Sequence, residues 1–210
     1  NSQSIDKAYY TPASGKGKNV YLTIDANLQY KLEKIASNAM ETTQAESLML
    51  IAAQATTGEI LSYISLPSAN LNRYPSSSIA EKKDLPAVHA YEPGSVFKLF
   101  SVASFIDSGC ISENETFFCD GVFDVRSTNG ERVKITCLDR HGPLTARQAL
   151  QYSCNDALAQ MSQKIDSEHF LQRIRRFGFG KKTGIELPGE TKGSVKTTED
   201  KLWSARSKPT

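Results

Sequence analysis

The chain reads as an α+β protein, an antiparallel sheet combined with a lobe of helices, on three observations. Residues 47–53 and 60–64 are apolar, β-prone runs separated by the turn signal Thr56-Thr57-Gly58, the pattern of an antiparallel hairpin. A second, smaller hairpin is predicted where residues 122–125 and 132–136 flank Asn129-Gly130. Around these lie stretches in which apolar residues recur at helical spacing, most of them in the second half of the chain.

Composition narrows the function classes. With 210 residues the chain can form one large domain or two small ones, and 39% apolar with 23% charged residues describes a globular protein. A net charge of +2, with no Lys/Arg run longer than two, predicts no nucleic-acid surface. No apolar stretch reaches the length of a membrane span, and no charged-then-apolar leader is read at the N-terminus. Cys110, Cys119, Cys137 and Cys154 are too few for a disulfide scaffold and lack Cys-x-x-Cys pairing, so no metal site is expected. They read as buried or idle thiols, with a single bridge between Cys119 and Cys137 as the alternative.

In chain order, residues 1–18 form a polar lead-in, and alternation of Val20, Leu22 and Ile24 predicts a short strand. Asp25 can cap a helix whose buried face carries Leu28, Leu32, Ile35, Ala36 and Ala39. After the first hairpin, residues 67–90 form a long polar loop of the kind that borders binding clefts. The next helix is expected to bury Val96, Leu99, Phe100, Ala103 and Ile106 and to end at Gly109, leaving Ser95, Lys98 and Val102 on a separate stripe. Gly94 is read as leaving room for the turn and for a substrate. Thr145 and Gln148 make a capping box for a helix that runs to Tyr152 and breaks at Ser153-Cys154-Asn155. A helix from Asp156 follows, and another capped by Ser167 that buries Phe170, Leu171, Ile174 and Phe177 and stops at Gly178 and Gly180. The remainder is polar.

Ser95 and Lys98 are the pair with chemical content. Three residues apart at a helix start, they share a face, and an amine able to lose its proton can activate a hydroxyl there. Spacing alone is weak evidence, because 23 serines and 16 lysines give a second such pair at Ser4 and Lys7. Ser153 and Asn155, at the break between helices, could add a hydroxyl relay and a substrate-binding amide, although Ser-x-Asn also occurs at Ser68, Ser112 and Ser127.

The surrounding text supplies the context. Tyr91-Glu92-Pro93-Gly94-Ser95-Val96-Phe97-Lys98 is followed by His141-Gly142-Pro143-Leu144-Thr145 and Ser153-Cys154-Asn155. Then come Phe177-Gly178-Phe179-Gly180 and Thr183-Gly184-Ile185-Glu186-Leu187-Pro188-Gly189-Glu190. Together these resemble the class B penicillin-binding proteins, collinearly from about residue 17 onward. The resemblance implies the penicillin-binding protein/serine β-lactamase-like transpeptidase fold over residues 19–210. It implies Ser95 as acylated nucleophile, Lys98 as base, Ser153 as proton relay and Asn155 as ligand for the peptide or β-lactam amide. The implied substrate is the D-Ala-D-Ala end of a peptidoglycan stem peptide, with no metal or organic cofactor. Implied partners are β-lactams, glycosyltransferases and membrane proteins of the divisome or elongasome, at the extracytoplasmic face of the cytoplasmic membrane.

Lys182-Thr183-Gly184 matches the family's third motif literally but lies too close to Ser153 and outside any β-prone run, so it is rejected. The domain is accordingly expected to be incomplete here, with an antiparallel sheet lacking its C-terminal strands. A β-lactam-binding sensor or catalytically inactive cell-wall scaffold is the alternative reading.

Overall fold

The computed structural model describes residues 19–126, 130, 132–197 and 199–200. The expected lead-in with Ser4 and Lys7, the hairpin tip at Asn129 and the end of the tail from residue 201 lie outside them. The chain divides into two compact units at Pro86.

The first unit packs one helix on one hairpin. Helix α1 (Ala26–Thr43) starts where the Asp25 carboxylate accepts from the Leu28 N–H at 2.9 Å, and ends at Gln44 in the left-handed conformation. Strands β1 (Leu48–Ala53) and β2 (Ile60–Leu66) pair antiparallel, with Leu50 opposite Ile64 and Gly58 at φ +79° in the turn. Gln29 Oε1 on α1 accepts from Ser62 Oγ (2.8 Å) and from the Tyr63 N–H (2.9 Å), which fixes helix to sheet.

Two expectations fail in this unit. Residues 20–24 form no strand: the Asp25 N–H donates to the Leu61 carbonyl and Thr23 Oγ1 to the Ile60 carbonyl, but Val20, Tyr21 and Leu22 are exposed. Two such bonds do not make a ladder. Ile35, assigned to the buried face of α1, is also exposed. The long loop contains a 3₁₀ turn (Leu71–Ser76) and a single helical turn, α2 (Leu85–Val88). Its far end is anchored where Tyr63 Oη donates to Asp84 Oδ1 at 2.7 Å.

The second unit carries the larger core. A 3₁₀ turn (Gly94–Phe97) runs into α3 (Lys98–Asp107), which gives way at Gly109 with φ +72°. Strands β3 (Thr116–Cys119) and β6 (Gly142–Thr145) pair antiparallel, as do β4 (Val122–Arg126) and β5 (Arg132–Thr136). The β4–β5 hairpin was legible; β3 and β6 were not, because each is four residues long and their pairing spans a 22-residue interval. Helices α4 (Ala146–Gln151), α5 (Asn155–Ser162) and α6 (Ser167–Arg176) complete the unit.

The capping box holds: the Gln148 N–H donates to Thr145 Oγ1, and the Thr145 N–H to Gln148 Oε1. At α6 the cap is Asp166, which accepts from the Glu168 and His169 N–H groups, and Ser167 is the first helical residue. Phe105, Leu158, Met161 and Ile174 are fully enclosed at the centre of the core.

Helix α3 buries a different face from the one its periodicity suggested. Lys98, Ser101, Val102, Ser104 and Phe105 turn inward, while Val96, Leu99 and Ile106 are exposed. Apolar residues surround most of this helix, so spacing alone does not choose between two faces. Phe105 decides the choice by packing on Phe170 of α6, with ring centroids 5.9 Å apart. Phe177, also expected to be buried, is half exposed and meets Phe100 edge-on.

Candidate active site

Gly94 opens the turn at the start of the α3 segment with φ +60°, a conformation that side chains resist. A Cβ built there meets nothing within 4 Å, so the requirement is conformational and not the crowding expected from the sequence. Ser95 lies on the next position, exposed, and its hydroxyl has no hydrogen-bond partner among the described residues. Its carbonyl accepts from the Lys98 N–H, the bond that closes the 3₁₀ turn.

Lys98 is the first residue of α3 and is only 4% exposed. Its Nζ donates to the Ser153 carbonyl (2.7 Å), to Ser153 Oγ (3.0 Å) and to Asn155 Oδ1. Burial pushes its pKa below the ordinary lysine value, and the adjacent Cys137 and Cys154 sulfurs act in the opposite direction. Three of the four residues singled out from sequence thus converge on one buried nitrogen, although Ser153 and Asn155 follow Lys98 by more than fifty positions.

The break between α4 and α5 makes this convergence possible. The Ser153 N–H donates to the Leu150 carbonyl and the Cys154 N–H to the Ala149 carbonyl, closing α4. Ser153 takes the left-handed conformation, φ 52°, and its carbonyl and hydroxyl both face Lys98. Asn155 begins α5, and its Nδ2 donates to the Thr136 carbonyl at 3.0 Å at the end of β5, leaving Oδ1 toward the lysine. The rejected Lys182-Thr183-Gly184 segment is in no strand; Thr183 instead donates from its N–H and Oγ1 to Glu190 Oε1.

Three cysteines that spacing did not connect also meet beside this point. No disulfide joins any of the four cysteines. The expected alternative, a Cys119–Cys137 bridge, is not formed, but Cys119, Cys137, Cys154 and His141 place their ligand-type atoms within 4.8 Å of one another. Despite burial, the Cys137 thiol is lowered to about 6 by hydrogen bonds from the Asp139, Asp156 and Asn155 backbone. Cys154 is pushed up to about 12 by burial and by its two neighbouring thiols. Residues from β3, the end of β5, the start of β6 and the α4–α5 junction meet only in the folded chain, so pairwise spacing carries no signal for them.

A family model described as "Penicillin binding protein transpeptidase domain" matches residues 48–208. The chain is 30% identical over 186 residues to stage V sporulation protein D of Bacillus subtilis, covering 88% of this chain and 28% of that protein. It is 29% identical over 175 residues to the peptidoglycan D,D-transpeptidase FtsI of Escherichia coli K12, covering 83% and 29%. It thus spans less than a third of these relatives' length. Its fold is similar to the TP domain from Burkholderia pseudomallei penicillin-binding protein 3, with a TM-score of 0.74 and 23% identity, covering 92% of this chain and 52% of that one.

Proposed function

The chain belongs to the penicillin-binding protein transpeptidase domain family, and from that premise we propose that it carries the acylation centre of a serine D,D-transpeptidase that cross-links peptidoglycan stem peptides. The observation that carries the reading is the buried Lys98 Nζ, three residues beyond an exposed serine and held by Ser153 and Asn155. A desolvated lysine shared with a second hydroxyl is what proton traffic at an alcohol nucleophile requires.

Ser95 Oγ attacks the carbonyl carbon of the penultimate D-alanine, and its proton passes to Lys98 after that amine has released one of the three hydrogens it donates. The tetrahedral oxyanion is held in part by the Ser95 backbone N–H, at the start of the helical segment. Collapse breaks the peptide bond, and the leaving D-alanine amine takes a proton through Ser153, leaving an ester on Ser95. The amine of a neighbouring stem then attacks that ester; its proton returns to the Ser95 oxygen through Lys98, and the new amide is released. Asn155 holds the substrate amide. A β-lactam enters the same route, but its leaving amine stays tethered to the acyl group.

On this reading the parent protein works at the outer face of the cytoplasmic membrane, beside glycosyltransferases and divisome or elongasome proteins. No helix among the described residues is long and apolar enough to cross a membrane. The test is intact-mass measurement after incubation with benzylpenicillin. An adduct of one penicillin mass is expected on the parent protein and none on Ser95→Ala; an adduct that survives the substitution sinks the nucleophile assignment.

A further inference from the structure

Between the second half of α3 and the end of α6 lies a cavity of about 390 Å³, lined by Ala103, Ser104, Asp107, Arg173, Arg176 and Phe177, which the acylation chemistry does not use. We propose that this recess is a docking site for a peptide segment of a partner protein that presents one carboxylate beside an apolar side chain.

The charge in the recess is not balanced from within. Arg173 Nε and Arg176 Nη1 both lie 3.1 Å from the same Asp107 oxygen, Oδ2, so two guanidinium groups share one carboxylate and one positive charge is left over. Arg176 Nη1 donates to that oxygen, and Arg173 Nη2 donates to the Asp107 carbonyl at 3.3 Å. Arg173 Nε is fully buried, and among the described residues it makes no hydrogen bond, despite its distance from Asp107. Buried polar groups are normally satisfied and a guanidinium carries five N–H donors, so this pair holds more donors than Asp107 accepts. The Arg176 side chain is 74% exposed, which leaves its remaining N–H groups open to an incoming anion. Neighbours along the chain do not remove the excess: Arg175 pairs with Glu168 at 3.6 Å, and residues 173–182 contain five Lys or Arg and no acidic residue.

The walls select what carries the carboxylate. The Phe177 ring is half exposed and is held edge-on against Phe100 with centroids 5.2 Å apart, and Ala103 adds a methyl group. The Ser104 hydroxyl already donates to the Phe100 carbonyl at 2.7 Å, so recognition falls to the two arginines and the ring. A carboxylate accepts paired N–H bonds from a guanidinium, and an apolar side chain next to it covers Phe177. One surplus positive charge matches one carboxylate, whereas a lipid surface brings many charges on a plane too broad to enter a recess.

Lys98 is the first residue of α3 and Asp107 the last, so the recess lies about 14 Å along the helix from the lysine. The proposal therefore stands or falls separately from the nucleophile assignment at Ser95.

The test uses the whole chain carrying isotope-labelled arginine, with the Nε–H signals followed by NMR as acetyl-Leu-Glu-Leu-amide is added. The Arg173 and Arg176 signals are expected to shift with a millimolar dissociation constant, about tenfold tighter than with acetyl-Leu-Gln-Leu-amide, and the response to weaken in added sodium chloride. Arg176→Gln, at an exposed position, and Ala103→Leu, which fills the recess, are each expected to abolish the Arg173 shift and to leave the rate of benzylpenicillin acylation of the parent protein unchanged. If either variant fails to fold, the Glu-against-Gln comparison on the unsubstituted chain decides. Equal responses to the two peptides, no response, or a response that survives both substitutions would overturn the proposal. So would a response to inorganic phosphate or to vesicles of phosphatidylglycerol in phosphatidylcholine with none to the Glu peptide, which would make the recess a phosphate site.

Discussion

The Lys98 side chain does two separable things: it fills a buried position, and it supplies an amine to Ser153 and Asn155. Lys98→Met keeps the stem and removes the amine. Acylation by benzylpenicillin, followed as the rate of adduct formation, is expected to slow by about 10²–10⁴-fold, the usual worth of a positioned acid–base group. The thermal midpoint is expected to hold or rise, because a buried cation is costly to desolvate. A rate within about threefold of the parent's would remove Lys98 from the proton path. Ser95 and Lys98 could be picked out together in the sequence because a short helical segment carries both. Ser153 and Asn155 were legible only with the family resemblance. His141 appeared only as part of a motif, since nothing in sequence says which groups its ring will face.

At the scale of elements, the turn before α3 controls where Ser95 sits. Gly94 holds φ +60° with nothing within 4 Å of an added Cβ, so Gly94→Ala strains the backbone without a clash. A loss of about 1–2 kcal/mol in urea unfolding is expected from the left-handed conformation alone. An unchanged midpoint would mean that the turn rearranges freely and does not fix the serine. The capped helices were readable because their caps are local: Thr145 and Gln148 satisfy each other across three residues. Strand β3 was missed for the opposite reason, since its partner β6 lies beyond a whole hairpin. The inward face of α3 was misassigned because its apolar residues leave two faces open to burial and its tertiary neighbours choose between them.

In the molecule as a whole, the second unit gathers the proposed acylation residues and the thiol cluster around one core, in which Phe105 is fully enclosed and packs on Phe170. Phe105→Ala is expected to cost about 3–5 kcal/mol, read as a fall in the urea midpoint of this unit. A loss below about 1 kcal/mol would show that the core collapses around the gap. By itself the sequence determined the α+β class, both hairpins, the caps at Asp25 and Thr145 and, with the collinear landmarks, the family. These depend on contacts a few residues apart or on an ordered string of motifs. Tertiary structure alone decided which face of α3 is buried, that Ser153 and Asn155 close on Lys98, and that three thiols and an imidazole share one point. Such contacts join segments separated by tens of residues, and only the packing of the core brings them together.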